Sequence, residues 1–155
     1  MARKQKKYFS IIESYNIEVE DSEADYYFGI APKNIEGVYW EGASLIITGK
    51  LILPILKAAN KARVVIKGDP QLDDHWQQKP TIISAKVIGW MDIPRGDDRL
   101  IFYCSVPCHS LQYLAHAVYA KKIRYILITG TILKWRQGTI SNISLTSKME
   151  IEPFG

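Results

Sequence analysis

Two stretches of this chain, Leu45-Ile46-Ile47-Thr48-Gly49-Lys50-Leu51 and Ile126-Leu127-Ile128-Thr129-Gly130-Thr131-Ile132, are apolar and β-branched with a glycine inside, and Ile-Thr-Gly is identical in both. β-Branched residues crowd a helix but pack well on a pleated surface. A glycine within such a strand marks a bulge or a sharp bend. Strands that bend in the middle curl a sheet toward closure, so the pair points to a small curved barrel. Chance identity between isoleucine-rich strands explains the shared triplet as well as an internal repeat does, and only the curvature is inferred from it.

The remaining strands follow from alternation. Ala62, Val64 and Ile66 alternate with Arg63, Val65 and Lys67, and Ile82 to Trp90 is a further isoleucine- and valine-rich run. Pro-Arg-Gly-Asp-Asp at 94–98 has the composition of a turn and joins that run to Arg99–Val106 as a hairpin. There Leu100, Phe102, Cys104 and Val106 share one face, read as core, while Arg99, Ile101, Tyr103 and Ser105 share the other. Arg124–Trp135 and Thr139–Ile151 close the chain through Arg136-Gln137-Gly138. In the last strand Ile143, Leu145, Met149 and Ile151 are in phase against polar residues, as in a half-buried strand.

One helix is expected. Ser110 suits its N-cap, Leu111, Leu114, Ala115 and Val118 form an apolar stripe, and Lys121 and Lys122 fall where the helix dipole favours cations. His116 lies off the stripe and reads as a solvated surface residue. The predicted fold is therefore mainly β with one helix. It is a small curved antiparallel barrel with an extra strand, in which residues 42–155 form the barrel and residues 1–41 an appendage.

That appendage is divided by charge. Residues 1–12 sum to +4, residues 13–41 to −7 and residues 42–155 to +7, within a net charge of +4. From Arg99 to Met149 there is no acid at all, while seven lysines and arginines interleave with Tyr103, Tyr113, Tyr119, Tyr125 and Trp135. Positive charge with flat rings suits a polyanion that also carries bases. The plain alternative is a solvated basic surface over an aromatic core. The acidic segment packs on the basic body and shields it, or serves solubility.

At 155 residues and 47% hydrophobic composition the chain suffices for one ordinary core. The apolar run Tyr8–Ile12 is too short for a secretory signal, and Lys50, Lys57 and Lys61 interrupt the longest apolar region. A soluble cytoplasmic protein is expected. Cys104 and Cys108 lie four apart around Pro107, and with His109 and His116 they raise a zinc reading, but no second cysteine pair supports it and no metal or cofactor is expected. No phosphate loop, nucleophile elbow or His-Glu-x-x-His is present. Asp69, Asp73, Asp74 and His75 sit among Gly, Pro and Gln, which favours a solvated loop, and a non-catalytic role is expected.

Ser44–Leu53 and Ile123–Lys148, through Leu45–Leu51 at the start and Tyr125–Ile132 with Trp135 and Gly138 near the end, resemble the opening strand and closing hairpin of bacterial single-stranded-DNA-binding proteins and their primosomal relatives. The resemblance implies an OB-fold with its helix between the third and fourth strands, departing from the family by an extra strand between residues 62 and 92. It implies binding of single-stranded nucleic acid, DNA above all, in a basic groove where rings stack on bases. The residues placed there are Tyr103 and Trp135, with Trp90 as the ring more open to a buried role. For phosphate they are Lys67, Lys86, Arg99, Lys134 and Arg136. The competing reading is a protein-interaction or homo-oligomeric assembly module, in which Tyr26, Tyr27, Phe28, Tyr39 and Trp40 form an apolar contact.

Overall fold

The computed structural model describes residues 12–30, 39–69, 72 and 87–148. Seven strands, β1 (Ile12–Ile30), β2 (Tyr39–Leu53), β3 (Lys61–Asp69), β4 (Gly89–Asp92), β5 (Arg99–Pro107), β6 (Tyr125–Thr131) and β7 (Gln137–Thr146), and one helix, α1 (Cys108–Tyr119), follow one another along the chain. The strands close into a barrel in the order β1-β2-β3-β5-β4-β7-β6. Among the described residues no helix is long and apolar enough to cross a membrane.

The mainly β barrel with one helix agrees with the expected class, and the bends fall where the glycines do. Gly49 and Gly130 lie on β2 and β6, the two neighbours of β1. Each faces an irregularity in its partner strand: β1 shifts register between Val19 and Asp21, and the β6–β7 pairing shifts between Thr129 and Gly130. A Cβ at Gly49 would collide with the carbonyl oxygen of Glu18, and one at Gly130 with that of Thr139. The bend brings backbone against backbone, and only glycine leaves room for it.

Four expectations are corrected. Residues 12–30 are no appendage but a full stave: Ile12–Glu18 pair with β6 and Asn16–Ile30 with β2. Their inward positions, Tyr15 and Ile17, are fully buried, while the acids of the segment turn outward. The barrel is not wholly antiparallel, because β3 and β5 run parallel from Lys61↔Arg99 to Asp69↔Pro107. The helix follows β5 instead of lying between the third and fourth strands. Finally, α1 starts at Cys108 behind Pro107, with no side-chain cap, because β5 runs directly into it; Ser110 is already inside the first turn. Lys86, Asp73, Asp74, His75, Met149 and Ile151 lie outside the described residues, as do the side chains of Tyr27, Tyr39 and Trp40.

The core follows the period-two phase of the strands. Leu45 and Ile47 of β2, Val64 and Ile66 of β3, Leu100 and Phe102 of β5 and Ile126 and Ile128 of β6 are all buried in one cluster. Tyr15 meets Phe102 edge-on at 5.6 Å between ring centroids, and its hydroxyl donates to the carbonyl of Thr131 at 2.7 Å. Burial, with Glu13 nearby, pushes the Tyr15 phenol up to about 12, and burial pushes the Cys104 thiol up to about 12. Both groups are held neutral by the fold, so their contribution is complete below their unfolded values near 9 to 10 and is lost as pH rises toward 12. The urea midpoint is expected to hold up to about pH 9 and fall steadily beyond it, and Tyr15→Phe to reduce that fall by about 2 kcal/mol between pH 9 and 12. A wild-type and variant pair with the same alkaline slope would contradict this.

Candidate nucleic-acid interface

The outer face of the barrel over β3, β5, β4 and β7 is organised in rows by strand register. One row runs Val65, Tyr103, Trp90, Thr139, and the next runs Arg63, Ile101, Asp92, Gln137. Met91 between Trp90 and Asp92 points into the core, which turns Trp90 outward. Trp90 is 60% exposed, against the burial considered for it from sequence. Its indole stacks on Tyr103, with centroids 5.3 Å apart and planes inclined by 22°. Tyr103 backs one face of the indole and leaves the rest of the Trp90 ring open to solvent. Lys67 is exposed on the same face, its register partner Ser105 two residues from Tyr103 on β5.

Trp135 is presented differently. The β6–β7 hairpin ends in a two-residue loop closed by Lys134 N–H to Gln137 O at 2.8 Å and Gln137 N–H to Lys134 O at 3.1 Å. Its two central residues are Trp135 and Arg136, with φ of 56° and 65°. A loop of this type normally carries Asn-Gly, because other side chains crowd the backbone at positive φ. What offsets the cost is partly visible: the Arg136 guanidinium donates from Nε to the carbonyl of Ile93 at 2.9 Å and from Nη2 to that of Pro94 at 3.2 Å, and Ile93 N–H donates back to Arg136 O at 2.9 Å. Arg136 thus clamps the hairpin tip to the segment after β4, and Trp135, 87% exposed, projects from the clamped tip beside exposed Lys134. Trp135→Gly is expected to raise stability by about 1 kcal/mol, read as a higher melting temperature, because it relieves the left-handed backbone and removes no buried contact. A lower melting temperature would mean the ring packs on something.

The cations proposed from sequence therefore divide. Lys67 and Lys134 have no ion-pair partner among the described residues, whereas Arg136 is engaged by carbonyls. Arg99 forms a fork with Asp97, Nε to Oδ1 and Nη2 to Oδ2 both at 3.1 Å. The guanidinium holds the Asp97 carboxyl below the usual carboxylate range. The spacing Asp97-x-Arg99 in a turn was a visible signal for that pairing. The carboxylates of β1 make no ion pair among the described residues, and rows such as Asp25, Ser44, Lys67 set them two strands from the nearest cation of β3. That is about 10 Å of separation, beyond the roughly 8 Å Debye length of physiological salt, whereas Glu18 lies directly opposite Lys50 of β2.

Sequence reasoning missed the groove beside the platform. An open space of about 420 Å³ is lined by Trp90, Met91, Asp92, Gln137, Gly138 and Thr139. Asp92 two residues after Trp90 was the available signal, since strand period places both on one face. No known family, curated protein or solved structure matches the chain. Its role has to be read from the chemistry of its own surface. Among the described residues, the face over β3, β5, β4 and β7 with its hairpin tip presents the outward indoles Trp90 and Trp135 and the lysines Lys67 and Lys134, which form no ion pair. Among the described residues it holds no cluster of His, Cys, Asp or Glu able to hold a metal ion.

Proposed function

We propose that this protein binds single-stranded nucleic acid, DNA in the first instance, without catalysis, by stacking bases on Trp90 and Trp135 and steering the backbone with Lys67 and Lys134. The observation that carries the reading is the Trp90–Tyr103 stack: a large indole braced on one face by a tyrosine ring and exposed on the outer side of a closed barrel. An exposed, pre-oriented ring loses little freedom when a base covers it, and stacking needs no sequence code. The arginines support the platform: Arg136 fixes the hairpin tip and Arg99 the turn before β5.

Anisotropy of a labelled oligothymidine titrated with protein at two salt concentrations tests this. Affinity is expected to drop as salt rises, to favour single strand over duplex, and to weaken with Lys67→Glu and Lys134→Glu. Arg136→Glu would be a poor probe, since it also removes the clamp. The second reading, a protein-contact surface, is favoured by Val87 and Ile88, which are exposed beside Trp90. It predicts self-association or partner binding that barely responds to salt, with no binding of the oligonucleotide at low salt.

A further inference from the structure

One guanidinium on this face is held in place and bonds nothing. Arg63 points outward on β3 between the buried Ala62 and Val64. Its side chain is half-buried and its Nε is fully enclosed, so the stem and the inner end of the guanidinium are packed against the sheet. Nη1 and Nη2 are not enclosed, and among the described residues they make no hydrogen bond and no ion pair. Nothing in the row answers the charge. Thr48 and Ile101 are the neighbours of Arg63 on β2 and β5, and the carboxylates of the row, Asp21 and Asp92, each stand two strands off, about 10 Å. Arg99 and Arg136, by contrast, have donors occupied by Asp97 and by the carbonyls of Ile93 and Pro94. A partly desolvated cation without a counter-charge is costly, and an anion arriving at its open side relieves that cost.

We propose that Arg63 holds a phosphate of the bound single strand on its two terminal nitrogens and so lays the backbone of that strand along β3. The proposal rests on the single-strand reading above and deepens it. Two N–H donors in one plane match two oxygens of a phosphodiester, a fit that a lysine ammonium does not offer. Lys67 is exposed four residues further along β3, about 13 Å away, far enough to meet a different phosphate of the same strand. Val65, between them, begins the row that runs through Tyr103 to Trp90. A backbone on β3 therefore faces the indole across β5, with its phosphates on the two cations and its bases turned toward Trp90.

The test titrates labelled oligothymidine over a salt series into wild type, Arg63→Met and Arg63→Lys, with a melting temperature for each protein. Arg63→Met keeps an unbranched stem and removes the charge. It is expected to weaken binding roughly tenfold or more, and to reduce the steepness of log affinity against log salt by about 0.7, the share of one phosphate on a single strand. It is also expected to melt at or above wild type, because it removes a desolvated charge that nothing in the free protein compensates. Arg63→Lys keeps the charge but loses the planar pair of donors, so it retains the salt slope and binds severalfold more weakly. Arg63→Met binding within about twofold of wild type with the slope unchanged, or Arg63→Lys binding as tightly as wild type, would overturn the assignment and leave the stacking function standing. Lost affinity accompanied by a lower melting temperature in Arg63→Met would overturn it too, by making Arg63 part of the fold instead. Absence of oligothymidine binding by wild type at low salt would overturn both the proposal and the reading on which it rests.

Discussion

Gly130→Val is expected to cost on the order of 3 kcal/mol or more, a large share of the roughly 5–15 kcal/mol that holds an ordinary domain together. The added carbons have nowhere to go. The first would meet the carbonyl oxygen of Thr139, and the Met91 methyl stands 2.8 Å from it. Thr139 cannot yield easily, because its own N–H is tied to Thr131 Oγ1 at 2.9 Å and its strand is paired on both sides. The methionine side chain is fully buried and is pinned by the core. Urea unfolding should show the midpoint collapse, whereas Ser144→Ala, at an exposed position of the same strand pair, should shift stability by no more than about 0.5 kcal/mol. Similar midpoints for the two variants would mean that the β6–β7 bend does not need a bare backbone.

Replacing both exposed indoles, Trp90→Ala with Trp135→Ala, is expected to weaken binding of an oligothymidine by roughly a hundredfold or more while leaving the fold intact. Each stacked base is worth about 1–3 kcal/mol, and sites without shared partners add. Trp90 touches Tyr103 and Trp135 sits at a loop tip, so the two losses are independent. Neither ring is in the core, and the circular dichroism spectrum should be that of wild type. Anisotropy titrations of the two single variants and the double variant form the experiment. A double variant that binds within about twofold of a wild type that itself binds would place the interface elsewhere on the barrel.

Local features were legible in the amino-acid order and non-local ones were not. The Ile-Thr-Gly bends could be read because a glycine among β-branched residues is a local statement about backbone. The outward phase of Tyr103 could be read for the same reason, from its alternation with Leu100 and Phe102. The stave at 12–30 was hidden by its own outer face. Glu18, Glu20, Asp21, Glu23 and Asp25 dominate the composition and outweigh the inward positions Tyr15 and Ile17.

The parallel β3–β5 pairing leaves no local trace, since it joins segments about 40 residues apart by a crossover and no turn encodes it. Trp90 was misjudged because its strand is short. β4 spans only Gly89–Asp92, and the phase is set by Met91 entering the core, not by the apolar run before it. Net charge could not show that Arg99 is held by a neighbouring carboxylate and Arg136 by carbonyl oxygens, because both pairings depend on turn and hairpin geometry.

The seam between β1 and β6 has a consequence for how the molecule assembles. It joins the beginning of the described chain to its end, as in the bond from Tyr15 to Thr131 across 116 positions. Contacts so distant in sequence pay a large loop-closure entropy before they return any energy, and topologies rich in them fold slowly. Until residue 131 has been made, β1 lacks the neighbour on its β6 flank, against which Tyr15 and Ile17 pair in the finished barrel. The carboxylates of residues 18–25 sit on the opposite side of the same strand, and like charge there disfavours edge pairing between two such unfinished barrels.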